Sequence, residues 1–213
     1  DQYEAGIKND FLQGRLTANL TLYYIRNNNL AQTAQFDSAG RENSNTNLKE
    51  LVGQTGSKGV EIDFAYNPAS NIIINAGYSY NDMRYIKTPG NAGSFKVGER
   101  LVNTPQHTAN GSVFYTFNNL TLKGLKIGAS VFYTGKRFAG WNNTIGQTQN
   151  YSRLIPVAAF TTIDISAGYT YKKVSLLAKL SNITNAFNYI VHENYSVNPI
   201  APRQVVATVA YRL

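Results

Sequence analysis

Few residues of this chain have the types and the spacing that catalysis or metal binding requires. Among the 213 residues there is no Cys, and there are two histidines, His107 and His192. They form no His-x-x-x-His pair, and no thiol is available to complete a metal site. The chain also lacks a Gly-rich phosphate loop and a Gly-x-Ser-x-Gly nucleophile motif. We therefore predict no catalytic residue, no cofactor and no bound metal ion.

One pair of side chains, Asp82 and His107, has the chemistry to activate a water molecule. We expect each of them near the same end of a neighbouring strand, where an Asp and a His in contact would act as a general base. A protease at the rim of a barrel would use such a contact. We prefer the interpretation that both residues hydrogen-bond loops, because His107 belongs to the strand start Asn103-Thr-Pro105-Gln-His107.

A second group of residues combines cations with aromatic rings in two polar segments. Residues 137–160 contain no acidic residue, and residues 86–105 contain only Glu99. The candidates for ligand binding in these segments are Arg100, Arg137, Trp141, Tyr151 and Arg153. Guanidinium groups and aromatic rings bind anionic or flat ligands through charge and stacking. The alternative is that these side chains pack the segments together.

Strands must position these residues, because apolar and polar residues alternate with a period of two along the whole chain. In Arg15 to Tyr24, for example, the even positions are apolar or aromatic and most odd positions are polar. We predict about nine strands, covering residues 3–7, 15–24, 60–66, 72–80, 109–117, 125–133, 163–171, 174–180 and 205–213. Many of them exceed the roughly 5–6 residues of a usual globular strand.

The connections between these strands alternate strictly between short and long. The short ones are 11–14, 67–71, 118–123 and 172–173, and the long ones are 27–57, 86–105, 137–160 and 182–202. In an antiparallel meander this alternation collects every long loop at one end of the sheet. That is the layout of a bacterial outer-membrane barrel, with tight periplasmic turns and large extracellular loops. We predict an all-β fold, a segment of a transmembrane antiparallel up-and-down β-barrel.

The two faces of the predicted sheet differ in a way that favours a membrane barrel. Aromatic residues at both strand ends of the apolar face predict two interface girdles. Near the short turns or the C-terminus lie Tyr66, Tyr115, Phe117, Tyr169, Tyr171 and Tyr211; near the long loops lie Tyr24, Tyr78, Tyr80 and Tyr133. The opposite face carries the charged residues Glu4, Lys8, Arg15, Glu61, Asp63, Asp164 and Lys179, which need water. A soluble β-sandwich with Tyr-rich rims is the alternative.

Composition excludes two further classes of protein. The net charge is +8 with a pI near 9.6, but the basic residues are scattered, and the only adjacent pairs are Lys136-Arg137 and Lys172-Lys173. Nucleic-acid binding needs a basic patch or stripe, so we do not predict it. No apolar run approaches the roughly 18–20 residues of a transmembrane helix.

An odd number of strands does not suit a closed barrel, because bacterial single-chain barrels have even strand counts. Either a strand within 27–57 escapes the pattern, or the first strand pairs with sequence outside these residues. The chain starts within a strand, without an initiator Met or a signal peptide. We therefore expect residues 1–213 to be the C-terminal portion of a larger outer-membrane barrel.

Several short motifs, spread over the whole chain, resemble one family. They are Tyr3-Glu4-Ala-Gly6-Ile-Lys8, Leu12-Gln-Gly14-Arg15-Leu16, Asn19-Leu-Thr-Leu-Tyr23-Tyr24, Gly59-Val-Glu61, Ala76-Gly77-Tyr78-Ser-Tyr80-Asn81-Asp82, Asn103-Thr-Pro105-Gln-His107-Thr108, Ser181-Asn182-Ile-Thr-Asn185-Ala-Phe187-Asn-Tyr189, and Pro202-Arg203 with the closing Tyr211-Arg212-Leu213. Together and in this order they resemble the C-terminal barrel of TonB-dependent siderophore receptors. That family usually ends in Phe or Trp, so Leu213 departs from its pattern.

The resemblance implies a 22-stranded barrel, of which this chain would supply about the last nine strands, with a plug domain and the first strands missing here. It further implies a monomeric barrel in the bacterial outer membrane, in contact with lipid and lipopolysaccharide. Its ligand would be a ferric siderophore, and the TonB complex would act through the plug. For such a receptor, the cations and aromatic rings of the loops would suit an anionic ferric chelate. The alternative is that they pack the loops together or pair with lipopolysaccharide phosphates outside the barrel. The alternatives are another cargo (a glycan, a peptide or cobalamin) or a small stand-alone barrel that acts as an adhesin or a rim protease.

Overall fold

In the computed structural model, every regular element of the described chain is a β-strand. The structure describes residues 1–34, 36–45, 47–88, 95–119, 121–140, 154–192 and 196–212. The strands are β1 (Gln2–Phe11), β2 (Leu16–Thr33), β3 (Lys49–Ala69), β4 (Ile72–Lys87), β5 (His107–Thr116), β6 (Lys126–Thr134), β7 (Arg137–Ala139), β8 (Ile155–Val157), β9 (Phe160–Tyr171), β10 (Val174–Ser181), β11 (Tyr189–His192), β12 (Ser196–Pro199) and β13 (Gln204–Tyr211). Within these residues, no helix is long and apolar enough to cross a membrane.

Nine strands form one antiparallel sheet in the order β1-β2-β3-β4-β5-β6-β9-β10-β13. Each of these strands pairs with the sheet strand that precedes it in the chain. The other four strands form two small hairpins, β7-β8 and β11-β12, inside long connections. The sequence prediction of an all-β, up-and-down meander of about nine strands is confirmed.

The register of the ladders gives the sheet one apolar and one polar face, because directly paired residues of antiparallel strands share a face. One row crosses all nine strands through Phe11, Leu16, Tyr66, Ile74, Val113, Ala129, Ile165, Leu180 and Val205. The adjacent row on the other face runs through Asp10, Thr17, Ala65, Asn75, Ser112, Ser130 and Asp164. The period-two pattern of the sequence therefore becomes a continuous property of the sheet.

At the long-loop end, three strands extend well beyond their predicted bounds. β2 continues to Thr33, β3 begins at Lys49, and β4 continues to Lys87. The predicted loop 27–57 is therefore wrong at both ends: its described outer parts belong to β2 and β3. Register shifts after Asn27 in β2 and between Gln54 and Thr55 in β3 interrupt the ladders, so these extensions show no regular alternation. Backbone ladders hold them together with side-chain hydrogen bonds such as that between Gln54 and Asn28.

At the opposite end of the sheet the connections are short, as predicted. The β1–β2 turn contains Leu12, Gln13 and Gly14, all with positive φ (54°, 60° and 81°). The β9–β10 turn uses Lys172 with φ 52°. Short turns at one end place every long connection at the other.

Candidate functional site at the long-loop end

Buried polar side chains concentrate where the strands enter the long connections. They are Thr55 and Ser57 in β3, Asp82 in β4, Arg137 in β7, Asp164 in β9, and Asn182 and Asn188 in the 182–202 connection. A polar group removed from water must find hydrogen-bond partners, so such groups mark places where the chain is held in one arrangement. Arg100 and Arg137, which the sequence analysis selected, lie among these groups at the long-loop end of the sheet.

Arg100 fixes the 86–105 connection to the top of β4. Its Nη1 donates to the Asp82 carboxylate at 2.9 Å, and its Nη2 donates to the Asn81 carbonyl at 2.9 Å. Arg84 Nε approaches the two oxygens of the same carboxylate at 2.9 and 3.0 Å. Burial lowers the pKa of the Arg100 guanidinium from its usual value, and the Asp82 charge opposes that shift. Asp82 thus lies between two guanidinium groups.

Arg137 joins three long connections. Its side chain donates from Nε to Asn103 Oδ1 at 3.2 Å and from Nη2 to Asn188 Oδ1 at 3.0 Å. The carbonyls of Ala158 and Tyr189 accept further hydrogen bonds. Arg137 is only 3% exposed, and burial lowers the pKa of its guanidinium. One buried cation therefore holds together segments from 86–105, 137–160 and 182–202.

The predicted ligand-binding residues fall into two groups. Arg100 uses its guanidinium donors on Asp82 and the Asn81 carbonyl of β4, and Arg137 uses its donors mainly on acceptors of two other long connections. Trp141, Tyr151 and Arg153 lie outside the described residues. Ligand contact stays a prediction for all five. The structure adds the acceptors Asn103 and Asn188, which the sequence analysis did not select although both lie in its quoted motifs.

Asp82 and His107 have different partners. His107 Nδ1 lies 2.8 Å from the Tyr78 hydroxyl, and its ring centroid is 5.3 Å from that of Tyr80. Asp82 is engaged by the two arginines. Asp82 thus contacts a loop residue, Arg100, as expected, whereas the side chain of His107 contacts Tyr78 within β4. Across the described part of the chain, no group of three or more His, Cys, Asp or Glu residues could hold a metal ion.

Asn182 organises the exit from β10, and sequence reasoning gave it no role. It has a positive φ of 49°, and its amide side chain bonds the backbone of Ala186 at 2.8 and 2.9 Å and the carbonyl of Ala201 at 3.0 Å. Its own N–H donates to Asp164 Oδ1 at 2.9 Å, while Lys179 Nζ lies 2.8 Å from Asp164 Oδ2. The Asn182 motif thereby ties the 182–202 connection to the charged residues of the polar face.

The aromatic residues of the predicted girdles lie at the two ends of the apolar face. The loop-side girdle consists of Tyr24, Tyr78, Tyr80 and Tyr133; the turn-side girdle consists of Tyr66, Tyr115, Phe117, Tyr169, Tyr171 and Tyr211. Register places Tyr78 and Tyr133 in one row, on either side of Ala109. In the turn-side girdle, Tyr115 and Phe117 form an edge-to-face pair with centroids 4.9 Å apart. Their role at a membrane interface stays a prediction.

Comparison with known proteins identifies the family. The model of the TonB dependent receptor-like β-barrel matches residues 1–183. The metal-pseudopaline receptor CntO of Pseudomonas aeruginosa is 28% identical over 207 residues, which cover 95% of this chain and 26% of that protein. The ferrioxamine B receptor of Salmonella typhimurium is 24% identical over 186 residues, covering 86% and 23%.

Solved structures show the same fold. The ferripyoverdine receptor of the P. aeruginosa outer membrane, bound to ferripyoverdine, superposes with a TM-score of 0.73 at 21% identity, covering 99% of this chain and 26% of that one. The siderophore receptor PiuA of Acinetobacter baumannii gives a TM-score of 0.74 at 21% identity, covering 99% and 28%. The chain spans about a quarter of the length of the curated relatives named above. The chain belongs to the TonB-dependent receptor β-barrel family of the Gram-negative outer membrane.

Proposed function

We propose that this protein imports a ferric siderophore, or a similar iron chelate, across the outer membrane with energy supplied through TonB. The observation that carries the proposal is the family match over residues 1–183. By their names, the relatives are receptors for metal-pseudopaline and ferrioxamine B. The two-faced sheet and its cross-linked loop layer suit a receptor wall with a ligand-capturing rim.

The proposed architecture is the C-terminal part of a monomeric 22-stranded barrel, with the plug domain and the first strands in the remainder of the protein. The apolar face would contact lipid between the two aromatic girdles, and the polar face would line the lumen. Side chains of the polar face support contact with a plug, and Asn19 is one of them. It lines a polar pocket of about 240 Å³ together with Asp63 and Asn110.

Ligand capture would fall to the long loops, in a layer whose geometry Arg137 sets. Trp141, Tyr151 and Arg153 supply rings and a cation suited to an anionic chelate. Arg100 adds a positive charge to the 86–105 connection, and its hydrogen bonds keep that connection at the rim. In this scheme Arg137 holds the bases of the three connections while their outer residues contact the chelate.

Growth under iron limitation tests the proposal. A strain without this gene would be complemented by the full-length gene and supplied with single ferric chelates of the catecholate, hydroxamate or mixed class. We expect one class to restore growth, and only in cells with functional TonB. If a glycan, a peptide or cobalamin restored growth instead, that compound would replace the iron chelate as the proposed cargo. Growth without functional TonB would overturn the proposed energy supply through TonB.

The stand-alone barrel alternative has its own test. The intact mass of the polypeptide in the outer membrane, with its gel mobility before and after boiling, separates the two architectures. We expect a heat-modifiable protein several times heavier than 23.5 kDa. A mass of 23.5 kDa would favour a small adhesin or rim protease.

A further inference from the structure

One carboxylate of the polar face, that of Asp164 in β9, reaches the base of a long connection. The register row that contains it starts at Asp10, beside the β1–β2 turn, and passes through Ser112 and Ser130. Because the strands are staggered, this row lies at the turn end of β1 and near the loop end of β9. Asp164 therefore lies within reach of residues 182–202, and it is only 9% exposed.

Both oxygens of the Asp164 carboxylate accept from groups at the end of β10. Lys179 Nζ lies 2.8 Å from Oδ2, and the backbone N–H of Asn182 donates to Oδ1 at 2.9 Å. Asn182 is the first residue after β10 and has a φ of 49°, a left-handed conformation that asparagine adopts more readily than most residues. The Asp164 carboxylate therefore holds the backbone at the point where the chain leaves the sheet.

Two buried amides join the start and the end of this connection at the base of the β11–β12 hairpin. The Asn182 side chain bonds the backbone of Ala186 and the carbonyl of Ala201. The N–H of Ile200 donates to the backbone carbonyl of Asn188 at 3.0 Å. Asn182 and Asn188 are 3% and 8% exposed, so a lost partner would leave a buried polar group unsatisfied. These contacts fix the hairpin relative to the exit from β10.

The same base carries the buried arginine of the rim. Asn188 Oδ1 accepts from Arg137 Nη2 at 3.0 Å, and Asn188 Nδ2 donates to the Ala158 carbonyl at 3.0 Å. Arg137 reaches Asn103 in the 86–105 connection through its Nε. Hydrogen bonds and the short segment 200–201 therefore connect Asp164 to all three of the long connections that Arg137 joins.

We propose that Asp164 is a positioning residue for ligand capture, which sets the place of the β11–β12 hairpin at the rim through Asn182. The proposal rests on the import function proposed above, because it concerns the loops that would bind the chelate. Asp164 acts through its acceptor oxygen and does not touch the chelate. Loops that are already held in place bind more tightly than loops that must first be ordered.

Hydrogen–deuterium exchange of the full-length receptor in detergent, without any chelate, tests the positioning directly. In Asp164→Ala the Asn182 N–H loses its acceptor, so exchange in residues 183–191 should accelerate about tenfold. Asp164→Asn keeps a carbonyl oxygen at this place and should stay within about twofold of the parent.

The matched control is Asp10→Ala, which removes a carboxylate from the same register row. The Asp10 carboxylate accepts from the Thr17 hydroxyl at 2.6 Å, beside the β1–β2 turn. Because this contact lies at the opposite end of the strands, Asp10→Ala should leave exchange in residues 183–191 unchanged. Heat-modifiable mobility on gels checks the fold of every variant.

Uptake kinetics separate a positioning role from a general loss of stability. The probe is ⁵⁵Fe³⁺ supplied to cells as a tris-catecholate, a tris-hydroxamate or a mixed chelate. Asp164→Ala should raise the half-saturating concentration about fivefold, because the hairpin must be ordered on binding, and leave the maximal rate within about twofold. Asp164→Asn and Asp10→Ala should match the parent. A protein that is only less stable would lose maximal rate instead.

Each outcome decides a separate claim. Unchanged exchange in Asp164→Ala, or equal acceleration in Asp164→Asn, overturns the proposal. Faster exchange with an unchanged half-saturating concentration overturns the assignment to ligand capture. If the parent takes up none of the three chelates, the import function fails, while the exchange rates still show whether Asp164 positions the hairpin.

A second variant covers the case in which Asp164→Ala does not fold. Asn182→Gly tolerates the positive φ but lacks the bonds to Ala186 and Ala201. Exchange in residues 183–191 should again accelerate about tenfold, and an unchanged rate would overturn the role of Asn182 as the link between Asp164 and the hairpin.

Discussion

The nine-stranded sheet, which we call the wall, and the long connections with their buried polar residues at one end of it, which we call the loop layer, are stabilised in different ways. In the wall, apolar side chains such as Val131 and Ile165 are 41% and 44% exposed in the isolated chain. In the loop layer, Arg137 is 3% exposed and surrounded by amide and carbonyl acceptors. The wall relies on its solvent, the lipid, to cover the apolar face, whereas the loop layer satisfies its polar groups internally.

Because the two regions are stabilised differently, they should tolerate different substitutions. A wall position is defined by the face on which it lies, so many apolar residues would serve there. A loop-layer position is defined by individual hydrogen bonds, so a change of type leaves buried partners unsatisfied. Substitutions chosen in pairs measure this contrast directly.

The largest effect is expected for a charge on the apolar face of the wall. Val131 lies on that face, two residues from Tyr133 of the loop-side girdle, and pairs with Gly111 and Ile163. Val131→Arg should lower the free energy of unfolding by about 2–3 kcal/mol, because a cation deep in the hydrocarbon region is poorly solvated. Equilibrium unfolding by guanidinium chloride, carried out on the full-length protein folded into phospholipid vesicles, measures the change.

The matched control for the wall is the neighbouring residue on the other face. Ser130 pairs with Ser112 and Asp164 on the polar side. Ser130→Arg should change the free energy of unfolding by less than about 1 kcal/mol, since its side chain meets water and a carboxylate. Equal losses in the two variants would contradict the assignment of the faces.

A smaller effect is expected for Arg137→Met, which keeps the length of the side chain and removes its donors. Asn103, Asn188 and two carbonyls would lose their hydrogen bonds, so local opening should become easier by about 1–3 kcal/mol. Hydrogen–deuterium exchange should accelerate in β7 and β11 while the wall stays protected. Lys136→Gln, at the exposed adjacent position, should leave the exchange rates unchanged. Faster exchange in both variants would contradict the proposal that Arg137 joins the three connections through its hydrogen bonds.

The wall could be predicted from the sequence, and most of the loop layer could not. Alternation is a local signal, and all nine wall strands follow from it. Arg137 finds its acceptors 34 and 51 residues away, at Asn103 and Asn188. No local pattern records such distances, which is why Arg137 was selected for its charge but not for its partners. The outer part of β2 escaped prediction because its residues are polar on both faces.

Two strand glycines, Gly59 on the polar face and Gly111 on the apolar face, offer a subtler comparison. An added Cβ at Gly59 would collide with the Tyr23 ring and with the Tyr80 carbonyl, whereas at Gly111 it would meet Val131 Cγ1 at an ordinary 3.5 Å. Gly59→Ala should destabilise the protein by about 1–2 kcal/mol, because the backbone carbonyl cannot move aside. Gly111→Ala should be neutral or slightly stabilising, since a strand glycine loses more entropy on folding. Thermal unfolding of the two variants, monitored by the loss of heat-modifiable gel mobility, compares them. Equal midpoint temperatures of unfolding would contradict the close packing at Gly59.

The smallest effect concerns a single turn in the first long connection. The Asp37 carboxylate accepts from the backbone N–H groups of Arg41 and Ala39 at 2.9 and 2.8 Å, and the Arg41 N–H is the main cause of its lowered pKa. The ionised carboxylate therefore favours the turn: the contribution is complete above the ordinary Asp pKa of 3.8 and disappears as the pH falls through the lowered value. In the full-length protein labelled with ¹⁵N-alanine, the Ala39 amide resonance should titrate below pH 3.8 in the parent and not in Asp37→Asn. The apolar row from Phe11 to Val205, which includes Ala129, contains no carboxylate, so the Ala129 resonance should show no comparable change over the same range. Titration of Ala39 above the ordinary value would show that the N–H groups do not stabilise the carboxylate.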